Sequence, residues 1–243
     1  MKILVIGDSC EDIFRYGDIT RVAPEAPVPV IVPVREESNP GMAGNVVANL
    51  KAMGAEVHLI TNTEPIKKIR YVDIRYNQMV LRVDENDRCN RFNGNVDVSD
   101  YDALIISDYC KGFLREEDIK EWAEAAWEIP TFLDTKKELG EWCNNIDYIK
   151  INSLEHEKNK KQLIAHPHLY KKLIITKGKH GCEFQGMMHG TTDVPVKDVS
   201  GAGDTFIAGL VFEFIRSYNV SKAIDFAQEC TTKVVQKAGV ATV

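Results

Sequence analysis

Two glycines and an aspartate precede an amphipathic helical pattern in the last fifth of the chain. The stretch DVSGAGDTF spans 198–206, and glycines let a backbone turn its N–H groups toward a ligand at close range. The helix predicted after it would present free N–H groups and a partial positive charge beside Gly201, Ala202 and Gly203. These features predict an anion-binding pocket.

Asp204 places a carboxylate in that pocket, which is the wrong charge for anion binding alone. A carboxylate is useful there if it accepts a proton from a hydroxyl that attacks a bound phosphoryl group, while the N–H groups stabilise charge on the phosphoryl oxygens. The alternative is a first-turn acid that the helix dipole favours. On this motif alone both interpretations stay open.

Two other stretches suit a nucleotide. TKGKHG (176–181) is a second glycine-bearing turn after a buried strand, positioned to border a nucleotide. INSLE (151–155) puts Asn152 and Glu155 three positions apart at a strand-to-helix junction, which suits a magnesium–water shell. The same pair is also explained by a helix N-cap followed by a first-turn acid.

Acidic and amide side chains also collect near the N-terminus. GDSCED (7–12) and PGMAGN (40–45) bring Asp8, Asp12 and Asn45 to strand ends and a helix start. Such groups suit several sugar hydroxyls. Ligands of α/β sheets gather beyond the carboxyl ends of the strands, where all of these stretches are expected. They therefore predict a sugar site next to the phosphate site.

Alternating strands and helices must position these residues. KILVIGD (2–8) is a near-continuous apolar run, typical of a strand buried on both faces. This alternation predicts an α/β fold with a mainly parallel central sheet covered by helices on both faces. Strands are predicted at 2–8, 56–61, 101–109, 129–135, 148–153 and 171–178, and helices at 43–55, 114–128, 154–166 and after Asp204.

Two stretches break this pattern. Residues 28–34 and 69–86 alternate in the manner of exposed antiparallel strands, with a turn near Asn77. We expect a small antiparallel sheet that stands off the main one as a β lid, formed by about 12–38 and 69–92. An exposed strand flap of this kind favours a homodimer through the lid.

Composition sets the remaining limits. The 243 residues are 44% hydrophobic, enough for one core, and the absence of repeats or linkers predicts a single domain over 1–243. A net charge of -6 without a long basic stripe argues against a nucleic-acid partner. No run approaches the roughly 20 apolar residues of a membrane span, and the N-terminus resembles a strand rather than a signal peptide. Scattered cysteines then predict reduced thiols in a cytoplasmic protein, with Cys10 a packed thiol.

Taken together, these stretches resemble the ribokinase-like (PfkB) carbohydrate kinases over nearly the whole chain. DVSGAGDTF is similar to the C-terminal signature of that family, and PGMAGNVVANLKAMGA to its N-terminal one. Within the family, the closer similarity is to heptose 7-phosphate kinases, the kinase half of bifunctional ADP-heptose synthases. The stretches that carry it are RVAPEAPVPVI (21–31), SDYCKGFL (107–114), FLDTKK (132–137) and GVATV (239–243).

The resemblance implies a ribokinase-like three-layer fold and an ATP-dependent kinase that phosphorylates a sugar or sugar-phosphate hydroxyl. The leading candidate is the anomeric hydroxyl of D-glycero-D-manno-heptose 7-phosphate. The alternatives are a kinase for another sugar, such as a fructose phosphate or ribose, and a non-catalytic sugar- or nucleotide-binding remnant of the family. The implied cofactors are ATP and Mg²⁺, with a monovalent cation as a further candidate.

The resemblance also implies roles at matching positions. Asp204 would be the general base, with Gly201, Ala202 and Gly203 as the anion hole. The implied substrate contacts are Asp12, Gly41, Asn45, Asp108, Lys111 and Lys136. The implied nucleotide contacts are Asn152, Glu155, Thr176, Lys177 and Gly178, and Glu155 would also hold magnesium through a water.

The chain departs from the family pattern in several places. After EVHLITNT it passes almost directly into EPIKKIRYVD, so a helix and a strand of the main sheet are expected to be missing. Ile13 stands where the heptose branch has arginine. FAQECTTKVV (226–235) is bulkier and more polar than the alanine-rich helix that the family places beside adenine. The sequence ends at Val243 without a nucleotidylyltransferase domain, so we expect no ADP-heptose synthesis by this chain alone.

Overall fold

The computed structural model describes residues 1–94 and 97–243, and its strands form two separate sheets. The strands are β1 (Lys2–Gly7), β2 (Ser9–Val22), β3 (Pro29–Met42), β4 (Glu56–Ile60), β5 (Lys67–Asp73), β6 (Gln78–Glu85), β7 (Ala103–Asp108), β8 (Thr131–Thr135), β9 (Tyr148–Asn152), β10 (Leu173–Thr176), β11 (Cys182–Phe184) and β12 (Met187–His189). The helices are α1 (Ala43–Ala52), α2 (Glu116–Ala125), α3 (Ser153–Ala165), α4 (Ala202–Ser217) and α5 (Val220–Val234).

The main sheet confirms the predicted alternation of strands and helices. Its strand order is β12-β11-β10-β9-β8-β7-β1-β4, and the strands from β10 to β4 are parallel, with β11 and β12 added antiparallel at one edge. All the predicted strands and helices of this layer are present, with ends shifted by a few residues. Parallel strands place their carboxyl ends along one edge, and that edge positions the polar stretches.

Helices cover both faces of this sheet, so the side chains of β1 are buried on both sides. Leu4 and Ile6 point into the core that α2 and α3 cover, while Ile3 and Val5 point into the core beneath α1, α4 and α5. All four side chains are fully buried, as the continuous apolar run predicts. The result is a three-layer arrangement of helices, sheet and helices.

The second sheet has the order β3-β2-β5-β6 and corrects one expectation. Residues 28–34 and 69–86 are not neighbours, because β2 lies between β3 and β5 and pairs parallel with β5. The expectation of an antiparallel sheet is therefore wrong at this central pair. The physical reason is that β2 and β5 both leave the main sheet beyond the carboxyl ends of parallel strands, β1 and β4, so they run in the same direction.

The bounds of this second sheet also differ from those expected. Its strands occupy 9–42 and 67–85 rather than about 12–38 and 69–92. The predicted turn is present: β5 and β6 are joined by a turn that ends at Asn77, whose φ of 51° lies in the left-handed region that asparagine tolerates.

None of the helices in the described part of the chain is long and apolar enough to cross a membrane.

Helices α4 and α5 approach each other closely at Gly209. A Cβ atom at Gly209 would lie 3.1 Å from the Cα atom of Ala227 and 3.3 Å from the Sγ atom of Cys230. A side chain at this position would force the neighbouring atoms of α5 to shift by a few tenths of an ångström. This contact helps to fix the position of α4, and α4 begins at the glycine-aspartate turn.

We predict that Gly209→Val lowers the free energy of unfolding by about 1–3 kcal/mol, because the added methyl groups overpack the contact between α4 and α5. Urea unfolding monitored by circular dichroism would measure the change. Gly190→Ala is the control, since no atom lies within 4 Å of a Cβ built at Gly190, and it should change stability by less than about 0.5 kcal/mol. Equal stabilities of the two variants would contradict this account of the helix packing.

Candidate active site

The start of α4 is shaped around the side chain of Asn45. Gly201 precedes the helix with a φ of 78°, in the left-handed region. A Cβ atom at Gly201 would lie 2.5 Å from the Nδ2 atom of Asn45, so glycine is required by both its backbone angle and the available space. Of the N–H groups in the first helical turn that follows, that of Ala202 donates to the Val199 carbonyl oxygen at 3.2 Å, while that of Gly203 has no partner within the helix.

Asp204 is buried in this first turn with a fixed carboxylate. The Nδ2 atom of Asn45 donates to one carboxylate oxygen at 3.0 Å, and the hydroxyl of Tyr109 donates to the other at 2.6 Å. Burial raises the pKa of Asp204 to about 6, while these two hydrogen bonds act in the opposite direction. A buried carboxylate that titrates near neutral pH is suited to accepting a proton.

Tyr109 is a site residue that the sequence analysis did not single out. It follows β7 directly, and its backbone N–H donates to the buried carboxylate of Asp8 at 2.6 Å. The amines of Lys68 and Lys136 each lie 5.1 Å from the centre of its ring. A polar aromatic residue at the carboxyl end of a central strand was the available signal, and only the contact with Asp204 shows its relevance.

Asp108 and Lys111 form contacts within the protein. Asp108 is buried and accepts hydrogen bonds from the hydroxyl of Thr135 at 2.6 Å and the amine of Lys137 at 2.7 Å. Lys111 forms an ion pair with Asp87 at 2.5 Å. Neither residue lines the cleft described next, so their assignment to the substrate stays a prediction.

A cleft of about 600 Å³ opens above the start of α4. It brings together stretches from five parts of the chain, as the parallel topology requires. Its lining includes the anion-hole glycines and most of the expected nucleotide contacts; the residues are Tyr109, Lys136, Lys150, Asn152, Ser153, Leu154, Thr176, Lys177, Gly178, Val199, Gly201 and Gly203.

The cations of this cleft are paired with carboxylates. Lys150 is buried and lies 2.7 Å from the carboxylate of Asp134, and a Cβ atom at Gly203 would lie 2.8 Å from the Lys150 amine. Lys136 lies 2.6 Å from Glu155 and 3.4 Å from Asp134. Although burial acts against it, attraction to Asp134 and then Glu155 raises the pKa of Lys136. The sequence analysis did not identify the Asp134–Lys150 pair.

Asn152 and Glu155 form the helix cap that the sequence allowed as one alternative. Asn152 accepts a hydrogen bond from the Glu155 N–H at 2.9 Å, and Glu155 accepts one from the Asn152 N–H at 2.8 Å, at the start of α3. This reciprocal arrangement is a capping box. It leaves the magnesium role of Glu155 as a prediction. Thr176, which neighbours Asn152 on the adjacent strand, and Gly178 line the same cleft, while the amine of Lys177 pairs with Glu183 at 2.5 Å.

The expected sugar contacts lie where the second sheet meets the main one. Asp12 is buried and forms an ion pair with Arg70 of β5. A side chain at Gly41 would collide with the Asp12 carboxylate. Cys10 lies close by and is 8% exposed; burial, followed by repulsion from Asp12, raises the pKa of its thiol to about 12. A thiol that stays protonated agrees with the prediction of a packed cysteine.

A smaller cavity of about 130 Å³ adjoins the cleft between the start of α4 and the middle of α5. Its lining shares three residues with the cleft and adds side chains from α5 that the sequence analysis did not assign; the residues are Thr176, Gly178, Gly181, Thr191, Ala202, Gly203, Phe206, Gln228 and Thr231. The cleft and this cavity are therefore neighbours that share Thr176, Gly178 and Gly203 in their walls.

Comparison with known proteins agrees with this architecture. Residues 94–243 match the family model described as pfkB family carbohydrate kinase. The chain is 30% identical to the bifunctional protein HldE of Nitratiruptor sp. and 28% identical to that of Hydrogenovibrio crunogenus, over 99% and 100% of its own length. It spans 63% and 61% of the length of these relatives. The first alignment extends over 295 residues, more than the 243 of this chain, so the relative has additional residues within the matched region.

Solved structures show the same fold. The nucleoside kinase of Methanocaldococcus jannaschii, an archaeal member of the ribokinase family, superposes with a TM-score of 0.71 at 17% identity, covering 98% of this chain and 93% of that one. The ribokinase of Thermotoga maritima superposes with a TM-score of 0.70 at 16% identity, covering 98% and 94%. The fold is thus the ribokinase-like α/β fold that the sequence pattern predicts.

We predict that Lys150→Met lowers the free energy of unfolding by about 3–5 kcal/mol, because the buried carboxylate of Asp134 loses its closest cation. Urea unfolding at neutral pH would measure the change. Lys160→Met is the matched control: its ion pair with Glu157 on α3 is exposed and should contribute less than about 1 kcal/mol. A Lys150→Met variant as stable as the control would show that Asp134 does not depend on this pair.

Proposed function

The chain belongs to the pfkB family of carbohydrate kinases, and on that premise we propose that it transfers the γ-phosphate of ATP to the anomeric hydroxyl of a heptose 7-phosphate. The observation that carries the proposal is the buried Asp204 carboxylate at the N-terminus of α4, next to a cleft lined by glycine turns. Similarity to HldE proteins over the whole chain supports a heptose acceptor. A kinase for a fructose phosphate or ribose is the alternative.

Asp204 acts on the acceptor in this proposal. Its carboxylate takes the proton of the attacking hydroxyl, and Asn45 and Tyr109 hold the carboxylate in place through their hydrogen bonds. The N–H groups at Gly201 and Gly203, together with that of Ala202 once it is released from the Val199 carbonyl oxygen, stabilise the charge that develops on the transferred phosphoryl group. Lys136 and Lys150 border the same cleft and offset the charge of the nucleotide phosphates.

ATP and Mg²⁺ are the proposed cofactors, with Asn152, Thr176, Lys177 and Gly178 as nucleotide contacts. Mg²⁺ neutralises phosphate charge, and it usually keeps several waters while binding one or two carboxylates and the substrate phosphates. The described residues contain no group of three or more His, Cys, Asp or Glu that could hold a metal ion alone. Glu155 is the carboxylate proposed to reach a phosphate-bound ion through water; its two oxygens also accept hydrogen bonds from Lys136 and from the Asn152 N–H.

Lys68 supports an acceptor that carries a negative charge. Its amine contacts the Met42 sulfur at 3.1 Å and lies near the Tyr109 ring. No carboxylate of the described residues lies within ion-pair distance of that amine, unlike Arg70 on the same face of β5, which pairs with Asp12. An unpaired, half-buried ammonium beside the acceptor site suits a phosphate group. It would supply a positive charge to a site that lacks the arginine of the heptose branch, since Ile13 stands at that position.

The second sheet is proposed as a lid over the acceptor. Its β2 and β5 strands carry Asp12 and Lys68 toward Tyr109, so closure would bring both onto the sugar. Val32 and Val34 on β3 and Leu81 on β6 are exposed, which supports a homodimer through this sheet. Both the lid motion and the dimer stay predictions.

We predict that Asp204→Asn lowers turnover by about 10²–10⁴-fold, because the proton acceptor is lost while the shape is kept. Coupled measurement of ADP release with heptose 7-phosphate would show it, and ATP affinity should change little. For the parent enzyme, kcat/KM should fall as the pH drops below about 6, where Asp204 becomes protonated. Glu213→Gln on α4 is the control for a charge change without a role at the site.

Turnover and stability of Asp204→Asn and of the parent protein also test the two alternatives, a helix-dipole acid and a non-catalytic remnant of the family. A first-turn acid favoured only by the helix dipole would cost at most about 1 kcal/mol of stability on substitution, and turnover would stay at the parental rate. A non-catalytic remnant would bind ATP with no turnover in the parent protein itself. Either result would remove the proposed role of Asp204.

We predict that Lys68→Met raises the KM for a phosphorylated acceptor by about 10–100-fold, because a charge-assisted hydrogen bond to the phosphate is lost. Turnover should be measured with heptose 7-phosphate, fructose 6-phosphate, ribose and the unphosphorylated heptose. The KM for unphosphorylated sugars should not rise. Lys67→Met is the matched control, because successive residues of β5 point to opposite faces. An equal effect of both variants would remove Lys68 from the acceptor site.

A further inference from the structure

A protein hydroxyl already contacts the carboxylate of Asp204. The phenol oxygen of Tyr109 donates to one carboxylate oxygen at 2.6 Å, while the amide of Asn45 holds the other at 3.0 Å. A hydroxyl within hydrogen-bonding distance of a base is the arrangement in which enzymes activate a nucleophile. Tyr109 therefore stands at Asp204 where the proposed reaction needs the hydroxyl of a sugar.

Tyr109 also faces the cleft proposed for the phosphates. It is half-buried and lines that cleft together with Gly201 and Gly203 at the start of α4. Gly203 directly precedes Asp204, and its N–H has no partner within the helix. The carboxylate that takes the proton and an N–H that would bind the phosphoryl group thus belong to neighbouring residues. A hydroxyl bonded to that carboxylate is held beside the place proposed for the transferred phosphoryl group.

The ring of Tyr109 is anchored close to two amines. Its backbone N–H donates to the fully buried carboxylate of Asp8 at 2.6 Å, and the amines of Lys68 and Lys136 each lie 5.1 Å from the ring centre. Of these two amines, that of Lys68 has no carboxylate of the described residues within ion-pair distance. A phosphate on the phenol oxygen would form charge-assisted contacts with such a cation. The surroundings of the ring therefore suit a phosphorylated side chain.

The phenol needs a base before its oxygen attacks. Burial, followed by repulsion from the charge of Asp204, raises the pKa of Tyr109 well above its ordinary value, so the oxygen keeps its proton at neutral pH. The pKa of about 6 of Asp204 leaves that carboxylate mostly ionised at the same pH, and it is able to accept the proton during the transfer. The pair thus contains both groups that the reaction requires, a hydroxyl and its base.

We propose that Tyr109 is a second phosphoryl acceptor, which the chain phosphorylates when the sugar site is empty. The inference rests on the proposed function, because the donor, ATP, and the base, Asp204, are the same. The phenol oxygen forms a bond to the γ-phosphorus of ATP, and the bond from that phosphorus to the oxygen bridging it to the β-phosphate breaks. Asp204 takes the phenol proton, and ADP leaves. The new phosphate then covers Asp204 and pairs with Lys68, so the modified chain no longer phosphorylates sugars.

The experiment incubates the parent protein with magnesium and γ-labelled ATP in the absence of sugar. Mass spectrometry should locate the label on the peptide that contains Tyr109, and the label should withstand alkali, which hydrolyses acyl phosphates. Asp204→Asn should slow the labelling by about 10²–10⁴-fold, because the proton acceptor is lost. Heptose 7-phosphate at about ten times its Kd should slow it by roughly tenfold, because the sugar and Tyr109 compete for Asp204.

Tyr109→Phe should lose the label, and Tyr101→Phe is the matched control. The hydroxyl of Tyr101 also forms a hydrogen bond with a basic group, the Nδ1 atom of His58. Tyr101 precedes β7, however, at the opposite end of the strand from Tyr109. We expect Tyr101→Phe to be labelled at the rate of the parent protein.

The outcomes separate this inference from the proposed function. A parent protein that phosphorylates heptose 7-phosphate but leaves Tyr109 unlabelled would overturn the inference alone. Labelling that continues at the parental rate in Asp204→Asn, or full sugar turnover by the labelled protein, would overturn the reaction as written. Transfer neither to Tyr109 nor to any of the sugars would overturn the proposed function as well. If Tyr109→Phe does not fold, the position of the label in the parent protein still decides.

Discussion

The site depends on one hydrogen bond between the two halves of the chain. Asn45 at the start of α1 donates to Asp204 in the first turn of α4, across 159 positions of sequence. The contact is possible because α1 and α4 cover the same face of the parallel sheet, so that both helices begin at the carboxyl edge of the strands. Burial at this meeting point raises the pKa of Asp204, and the same contact requires glycine at position 201.

Charge in the cleft is arranged around this carboxylate. On the side proposed for the nucleotide, Lys136 and Lys150 are held by Asp134 and Glu155, so their amines are fixed but partly neutralised. On the side of the second sheet, Lys68 has no carboxylate partner within the described residues. The two amines near the Tyr109 ring therefore differ in character: the paired Lys136 suits a nucleotide bound with its cation, and the unpaired Lys68 suits an anionic acceptor.

The main sheet ends at β4 in the region where the sequence departs from the family. Residues 61–66 lead from β4 directly to β5, and the longer alignment with an HldE relative agrees with residues missing from this chain. A sheet edge with unpaired backbone groups promotes association with other chains. Here the edge strand is five residues long, and Glu56 and His58 are exposed on it, which limits that association. The next strand along the chain, β5, belongs to the second sheet and carries Lys68.

The sequence by itself determined the parallel sheet, its helices and the glycine-aspartate turn, because those features depend on local periodicity and on the backbone angles of glycine. It could not determine that β2 separates β3 from β5, since strand pairing depends on the direction in which each strand leaves the main sheet. It also gave no role to Tyr109 or to the Asp134–Lys150 pair. Each of these acts through a partner many positions away, so only the tertiary structure brings the atoms within hydrogen-bonding distance.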